Sequence, residues 1–303
     1  MTKAQENQDP QAAWDKIAPG YEKTRRAYAD TWVGNEGLHR GGLRPGMRFL
    51  DVAAGSGALS MPAARLGARV LATDVSPVML DLLKKRARDE GLTIETRVMD
   101  GHALALDDNS FDMAGSQFGV MLFPDAPKGI SEMARVVKPG GRVLMVVLGD
   151  PREVEFFAFF IRGIRSVRPD FAPPLDPPPL PFQLQDPERL RNELTRAGLK
   201  DVTIETFTET LTFKTGEDLW TWVVWSNPVA EMVLGDLQIS ARRERGDPAG
   251  TGEDGPRACW RQRIGCLDRS DQHRHWNEVA ARVPTSCSAP AGSSVGDLSS
   301  RRR

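Results

Sequence analysis

The stretch Phe49–Ser60, FLDVAAGSGALS, decides how this chain folds. Phe49 to Val52 reads as a short buried strand, Gly55-Ser56-Gly57 breaks it, and Ala58 onward reads as a helix. A strand running through a glycine turn into a helix presents backbone N–H groups to a ligand at the end of an α/β sheet. NAD, FAD and S-adenosylmethionine all sit on such turns, so the turn alone leaves three candidates.

Outward from this stretch, residues 49–148 alternate short apolar runs with amphipathic ones, the rhythm of βαβ units and a mainly parallel sheet. Strand one spans Arg48–Val52, and its helix ends at Gly67, a favourable residue just past a helix. Strand two, RVLATD, ends at Asp74. The next helix has Ser76 as N-cap and Pro77 at its first position, and it closes at Gly91. Strand three covers Thr93–Val98, strand four is FDMAGSQFGV, and a helix follows over Pro127–Val137. Lys138–Gly141, KPGG, is expected to turn the chain into strand five, RVLMVVL. Two further strands, DVTIETF and ETLTF, bring the expectation to seven. The fold class is therefore α/β: a Rossmann-like, doubly wound, mainly parallel seven-stranded sheet with helices on both faces.

Residues 151–185 break the rhythm, with Phe156, Phe157, Phe159 and Phe160 ahead of a proline-rich segment. They read as a core helix with a stiff surface loop, or as an insertion that roofs an apolar substrate pocket. DPERLRNELTRAGL then restores a helix capped by Asp186, with Leu190, Leu194 and Ala197 on one face. A tryptophan-bearing helix over Glu217–Leu237 completes a domain of residues 1–238. From residue 239 to 303 helix and strand periods are lost, every basic residue is Arg, and Gly, Ser and Pro are dense. That composition reads as a disordered tail, or as a shifted reading frame that replaced the original C-terminus.

The 303 residues carry a formal net charge of −1 with 40% hydrophobic content, which offers no electrostatic case for nucleic acid. No run of 18 apolar residues suggests a transmembrane helix, and the polar, acid-bearing N-terminus does not read as a signal peptide, so a cytoplasmic location is expected. Cys259, Cys266 and Cys287 fit no zinc spacing even with His273 and His275 nearby, and no metal is expected. The oligomeric state is not legible.

The acids at strand ends narrow the ligand. The dinucleotide pattern G-x-G-x-x-G is incomplete, because Ala58, Leu59 and Ser60 follow Gly57. Asp74 ends strand two, where a carboxylate accepts from both ribose hydroxyls, and Asp100 lies past strand three, within reach of an adenine amino group. Asp51 sits inside strand one, placed to orient the turn or meet an ammonium. Carboxylates without basic clamps suit a ligand with a cationic amino-acid end and no phosphate, which favours S-adenosylmethionine. Asp107 and Asp108 read as turn residues.

LDVAAGSG, ATDVSPVML, DGHALALDDNSFD, SQFGVMLFPD and VVKPGGRVLMV, in this order and spacing, resemble the successive motifs of class I S-adenosylmethionine-dependent methyltransferases. The ubiquinone/menaquinone-biosynthesis group, which acts on small molecules, is the most similar. Ala13–Lys23, AWDKIAPGYEK, resembles that group's opening helix, which lies over the cofactor. The resemblance implies that Asp51, Gly55, Ser56 and Gly57 hold the methionine end, with Ala53 in the same loop. Asp74 would bind the ribose, Met79 would pack near the adenine, and Asp100, Gly101 and His102 would flank it. Gln117 would lie near the methionine portion. The chain departs from the pattern at Ala53, where many members carry Gly; Ala is tolerated if φ stays negative. It departs again at Ala105 and Leu106, where proline and an aromatic residue are usual. The expected partner is a small apolar or aromatic methyl acceptor. His102 and Tyr21 are the candidates for a base and a positioning group. Two rival readings are a non-catalytic S-adenosylmethionine-binding protein and a nicotinamide-dependent oxidoreductase.

Overall fold

The computed structural model describes residues 9–24, 32–173, 177–211, 213, 215–226, 228–239 and 272–282. Two helices, α1 (Pro10–Thr24) and α2 (Trp32–Arg40), precede β1 (Arg48–Val52). Then come α3 (Ser60–Arg65), β2 (Arg69–Asp74), α4 (Pro77–Asp89), β3 (Ile94–Val98), β4 (Phe111–Gln117), α5 (Ala126–Val136) and β5 (Val137–Leu148). The remaining elements are α6 (Glu155–Val167), α7 (Pro187–Arg196), β6 (Lys200–Leu211), α8 (Gly216–Trp225), α9 (Pro228–Asp236) and β7 (Gln272–Arg282).

Five strands form a parallel sheet in the order β3-β2-β1-β4-β5. Alternation sorts the side chains by face. Phe49, Val70 and Met113 pack with Leu38 of α2 and Ala63 of α3. Leu50, Val52, Leu71 and Ala114 pack on the other face with Ile130 and Met133 of α5 and Leu190 and Leu194 of α7. The sheet is therefore doubly wound, and its buried central strands explain the near-continuous apolar runs. The order reverses between β1, whose chain continues toward β2, and β4, which opens a crevice at their C-terminal ends.

Several expected boundaries change. KPGG does not precede β5 but is looped out within it: Phe111 pairs with Val137 and Met113 with Arg142. Gly141 is required there, because a Cβ would come within 2.7 Å of the Asp112 carbonyl. DVTIETF runs on through Glu209–Leu211 of ETLTF as one strand, β6, which pairs antiparallel with β7, itself antiparallel to β5. Thus β7 arises inside the segment that composition reads as a tail; residues 240–271 and 283–303, with all three cysteines, lie outside the described residues. The tryptophan-bearing helix is two helices, since Pro228 cannot donate to a helical ladder and starts α9.

Above the crevice lies a second core. Phe159, Phe160 and Ile164 of α6 meet Leu219, Trp222 and Val223 of α8 and Leu234 of α9, with Tyr21 of α1 packed against them. Trp222 stands edge-on to Phe156 with ring centroids 5.2 Å apart, and Phe160 stacks on Trp220 at 5.8 Å. The proline-rich segment ends in a single 3₁₀ turn, Leu180–Phe182. The following Gln183 Nε2 donates to the carbonyls of Met121 (2.7 Å) and Phe123 (2.8 Å), tying the segment to the exit of β4.

Candidate functional site

The glycine turn and two strand-end acids form one hydrogen-bonded unit. Gly55 N–H donates to Asp74 Oδ2 at 2.8 Å, and Ser76 N–H donates to Asp74 Oδ1 at 2.9 Å. A carboxylate offers about four acceptor sites, so these backbone bonds leave it capacity for a ligand. Burial pushes the Asp74 carboxyl above its ordinary range, while the N–H groups of Ser76, Gly55 and Val75 pull the other way.

Asp51 is more enclosed, at 1% exposure, and accepts from Ser60 Oγ at 2.6 Å. Burial pushes it up to about 7 despite the Ser60 hydroxyl and N–H. Two carboxyls with raised proton affinity at one end of the sheet make a site that a cation would stabilise in its charged form.

The turn is held from below by α4. Arg86, also buried, donates a short hydrogen bond to the Ser56 carbonyl. Gly57 has φ 97°, and a Cβ on it would lie 2.3 Å from Leu83 Cδ1, so glycine here permits close packing on α4. Met79 is buried in the first turn of α4, its N–H bonded to Ser76 Oγ.

Ala53 overturns the condition set by the sequence reading: its φ is 55°, in the left-handed region. An alanine there carries steric strain of about 1–2 kcal/mol. Its Cβ also dictates the facing residue, because a Cβ on Gly119 would come within 2.5 Å of it. Phe118, one position earlier, has φ 57° as well. Two strained non-glycine residues therefore face the crevice where β1 and β4 part, the sort of place where strain accompanies function.

The third acid stands apart. Asp100 is 63% exposed at its side chain and accepts from the main-chain N–H (2.9 Å) and Nδ1 (2.6 Å) of His102. Burial acts to raise its pKa, but those two donors outweigh it and hold the carboxyl below the usual range. The His102 ring rests on Phe123 at 4.6 Å, and Gly101 leaves room for that Phe123 ring. This loop is pinned by α5: Arg135 donates to the carbonyls of Leu104 and Leu106, both at 2.8 Å, and Glu132 accepts from Leu104 N–H. Asp108 lies in a turn, as its sequence reading expects, and there it also pairs with Arg135.

Gln117 ends β4 beneath α2, where Gly34 leaves space for its Oε1. Tyr21 of α1 hangs over the turn, its hydroxyl 3.8 Å from where a Gly55 Cβ would be. The fold thus gathers Asp51, Ala53, Gly55, Ser56, Gly57, Asp74 and Tyr21, with Asp100–His102 and Gln117 on its flanks. Sequence reasoning missed Ser60, Arg86 and Asp15, whose hydroxyl, guanidinium and carboxylate complete the network. Only their long-range partners identify them. Among the described residues no cluster of three metal-ligating side chains occurs and no helix is long and apolar enough to cross a membrane.

Residues 50–145 match a family model described as a methyltransferase domain. An uncharacterized protein of Mycobacterium tuberculosis (strain H37Rv) is 39% identical over 136 residues, covering 45% of this chain and 48% of that protein. The chain thus spans about half the length of that relative. A demethylmenaquinone methyltransferase of Renibacterium salmoninarum is 35% identical over 167 residues, 53% of this chain and 68% of that protein. Among solved structures, phosphoethanolamine N-methyltransferase 2 of Haemonchus contortus, in complex with phosphomonomethylethanolamine and S-adenosylhomocysteine, shares the fold. Its TM-score is 0.52 at 22% identity, covering 89% of this chain and 57% of that one.

Proposed function

The chain belongs to the class I S-adenosylmethionine-dependent methyltransferases of the ubiquinone/menaquinone type, and from that premise we propose that it is a cytoplasmic enzyme methylating a small apolar or aromatic molecule. The observation that carries this reading is Asp74, held by the backbone at Gly55 and Ser76 with acceptor capacity to spare on its carboxylate. That arrangement suits a vicinal diol, and Gly55, without a side chain, faces the Tyr21 hydroxyl across the turn.

S-adenosylmethionine, the cofactor of this family, supplies when bound a methyl group on a positively charged sulfur. Around it the protein's own groups have separable tasks. Asp74 orients the ribose end, and Asp51 and the turn 55–57 receive the amino-acid end. Asp100 and His102 flank the base, with Met79 behind them, and Gln117 faces the methionine portion. Transfer from a sulfonium needs an in-line approach in a dry space more than it needs acid–base help. The aromatic second core supports that role: with Tyr21 it supplies apolar walls over the crevice. Within a methyltransferase domain of residues 1–238, whose sheet also takes in β7, residues 151–185 are the roof of the acceptor space, their far end fixed by Gln183. His102 is committed to Asp100 and Phe123, which leaves positioning by Tyr21 the better-supported role for the candidate pair.

Titration calorimetry of the full chain with S-adenosylhomocysteine, and with NADH in parallel, tests the cofactor. Micromolar binding of the first alone is expected; binding of NADH instead would overturn the reading. Tritium transfer from labelled S-adenosylmethionine to a panel of apolar phenols, quinols and amines then tests the acceptor class. Cofactor binding without transfer to any of them would favour the non-catalytic alternative.

A further inference from the structure

We propose that Asp15 is a positioning residue for the cofactor, latching α1 across the crevice through Ser76 so that ligand on Asp74 is held by a docked helix. This rests on the cofactor reading above and adds to it a residue of the opening helix that had no assigned role.

Ser76 is fully buried and serves three partners. Its N–H donates to Asp74, its Oγ accepts from Met79 N–H at 3.1 Å, and the same hydroxyl donates to Asp15 Oδ1 at 2.5 Å. One serine therefore joins the start of α4, the strand-end acid and a helix 61 positions earlier. A hydrogen bond to a carboxylate in such surroundings contributes more than a neutral one.

The other end of α1 is fastened differently. Gly20 lies so close to Trp225 of α8 that a Cβ would meet the ring at 3.1 Å, and Lys23 Nζ lies 5.7 Å from the ring centroid. Between the two ends, Tyr21 leans over the Gly55 turn and stands edge-on to Trp14. So α1 spans from the strand-end acid to the aromatic core, and Asp15 is a polar tether of this helix to the crevice. The Asp15 carboxylate also lies near enough to Asp74 to raise its proton affinity. Hydroxyl donors or a cation arriving at Asp74 relieve that crowding of like charges, which favours the docked helix in the liganded state.

The test uses the full chain with S-adenosylhomocysteine as probe and the variants Asp15→Ala and Asp15→Asn. Stopped-flow measurement should show dissociation about tenfold faster in Asp15→Ala, the effect of losing one charged hydrogen bond, with association within about twofold. Amide exchange of residues 10–24 should slow on adding the probe to the natural chain and not to Asp15→Ala, while α5 exchanges alike in both. Asp15→Asn keeps an oxygen acceptor for Ser76 and should restore most of the difference. An unchanged dissociation rate in Asp15→Ala, or α1 exchange indifferent to the probe in the natural chain, would overturn the latch. If Asp15→Ala fails to fold, as its α5 exchange would reveal, the latch then stands or falls on the α1 exchange of the natural chain. A folded natural chain that binds no probe would instead remove the cofactor reading, and the latch with it.

Discussion

The crevice and the aromatic core above it are built by opposite means. In the crevice the acids and the turn are fixed by named polar partners: Asp74 by backbone N–H groups, Asp51 by Ser60, the turn by Arg86. In the core above, Phe156, Phe160, Trp220 and Trp222 meet through ring-on-ring contact and burial. Directional bonds specify one ligand shape, whereas packed rings set a size and a polarity and leave the rest open. The contrast suits an enzyme with a fixed cofactor and an acceptor that differs between relatives.

Four substitutions probe that division. Asp74→Ala should weaken S-adenosylhomocysteine binding by about 3–6 kcal/mol, the worth of two charged hydrogen bonds, with the near-ultraviolet dichroism of the tryptophans unchanged. Trp222→Ala should do the reverse. Chemical denaturation should show a loss of about 3–5 kcal/mol in stability, while calorimetry finds the probe's affinity altered only a few-fold. If each variant disturbed both regions equally, the two-part description would fail.

Asp51→Asn sharpens the contrast through pH. The folded chain holds the Asp51 proton up to about 7, whereas the unfolded chain releases it near 3.8. Over that window the folded state binds more protons, so its stability falls as pH rises. Urea melts of Asp51→Asn should therefore show a gain of roughly 2–4 kcal/mol at pH 8 that vanishes near pH 4, together with weakened probe binding. The smallest effect belongs to Ala53→Gly. Relief of the left-handed alanine, offset by glycine's greater freedom when unfolded, should raise stability by about 1 kcal/mol or less, read as a shift of a few degrees in Tm.

The same contrast explains what could be read in advance. β1 and β2 carry their bounds in the sequence, because buried strands ending at a glycine turn or an acid leave local marks. Ser76 and Asp186 announce α4 and α7 as caps, and both accept main-chain N–H groups as expected. The acids of the crevice were legible because strand ends deliver them there. Ser60, Arg86 and Asp15 were not, since each acquires its role from a partner far along the chain. The looped-out KPGG and the φ of Ala53 were hidden for a related reason: tertiary register, not local propensity, dictates them. Pro228 did stand in view, and its cost to a continuous helix outweighs the shared apolar character of α8 and α9.

Gln183 gives the proline-rich segment a particular standing in the protein's history. One side-chain amide clasps two carbonyls at the exit of β4, so residues ahead of it can lengthen or shorten while its far end stays moored. Doubling such a loop costs only about 0.6 kcal/mol in closure entropy. Under the proposed reading, a change of length ahead of Gln183 would reshape the space over the crevice while leaving the hydrogen bonds of Asp51, Asp74 and the turn in place.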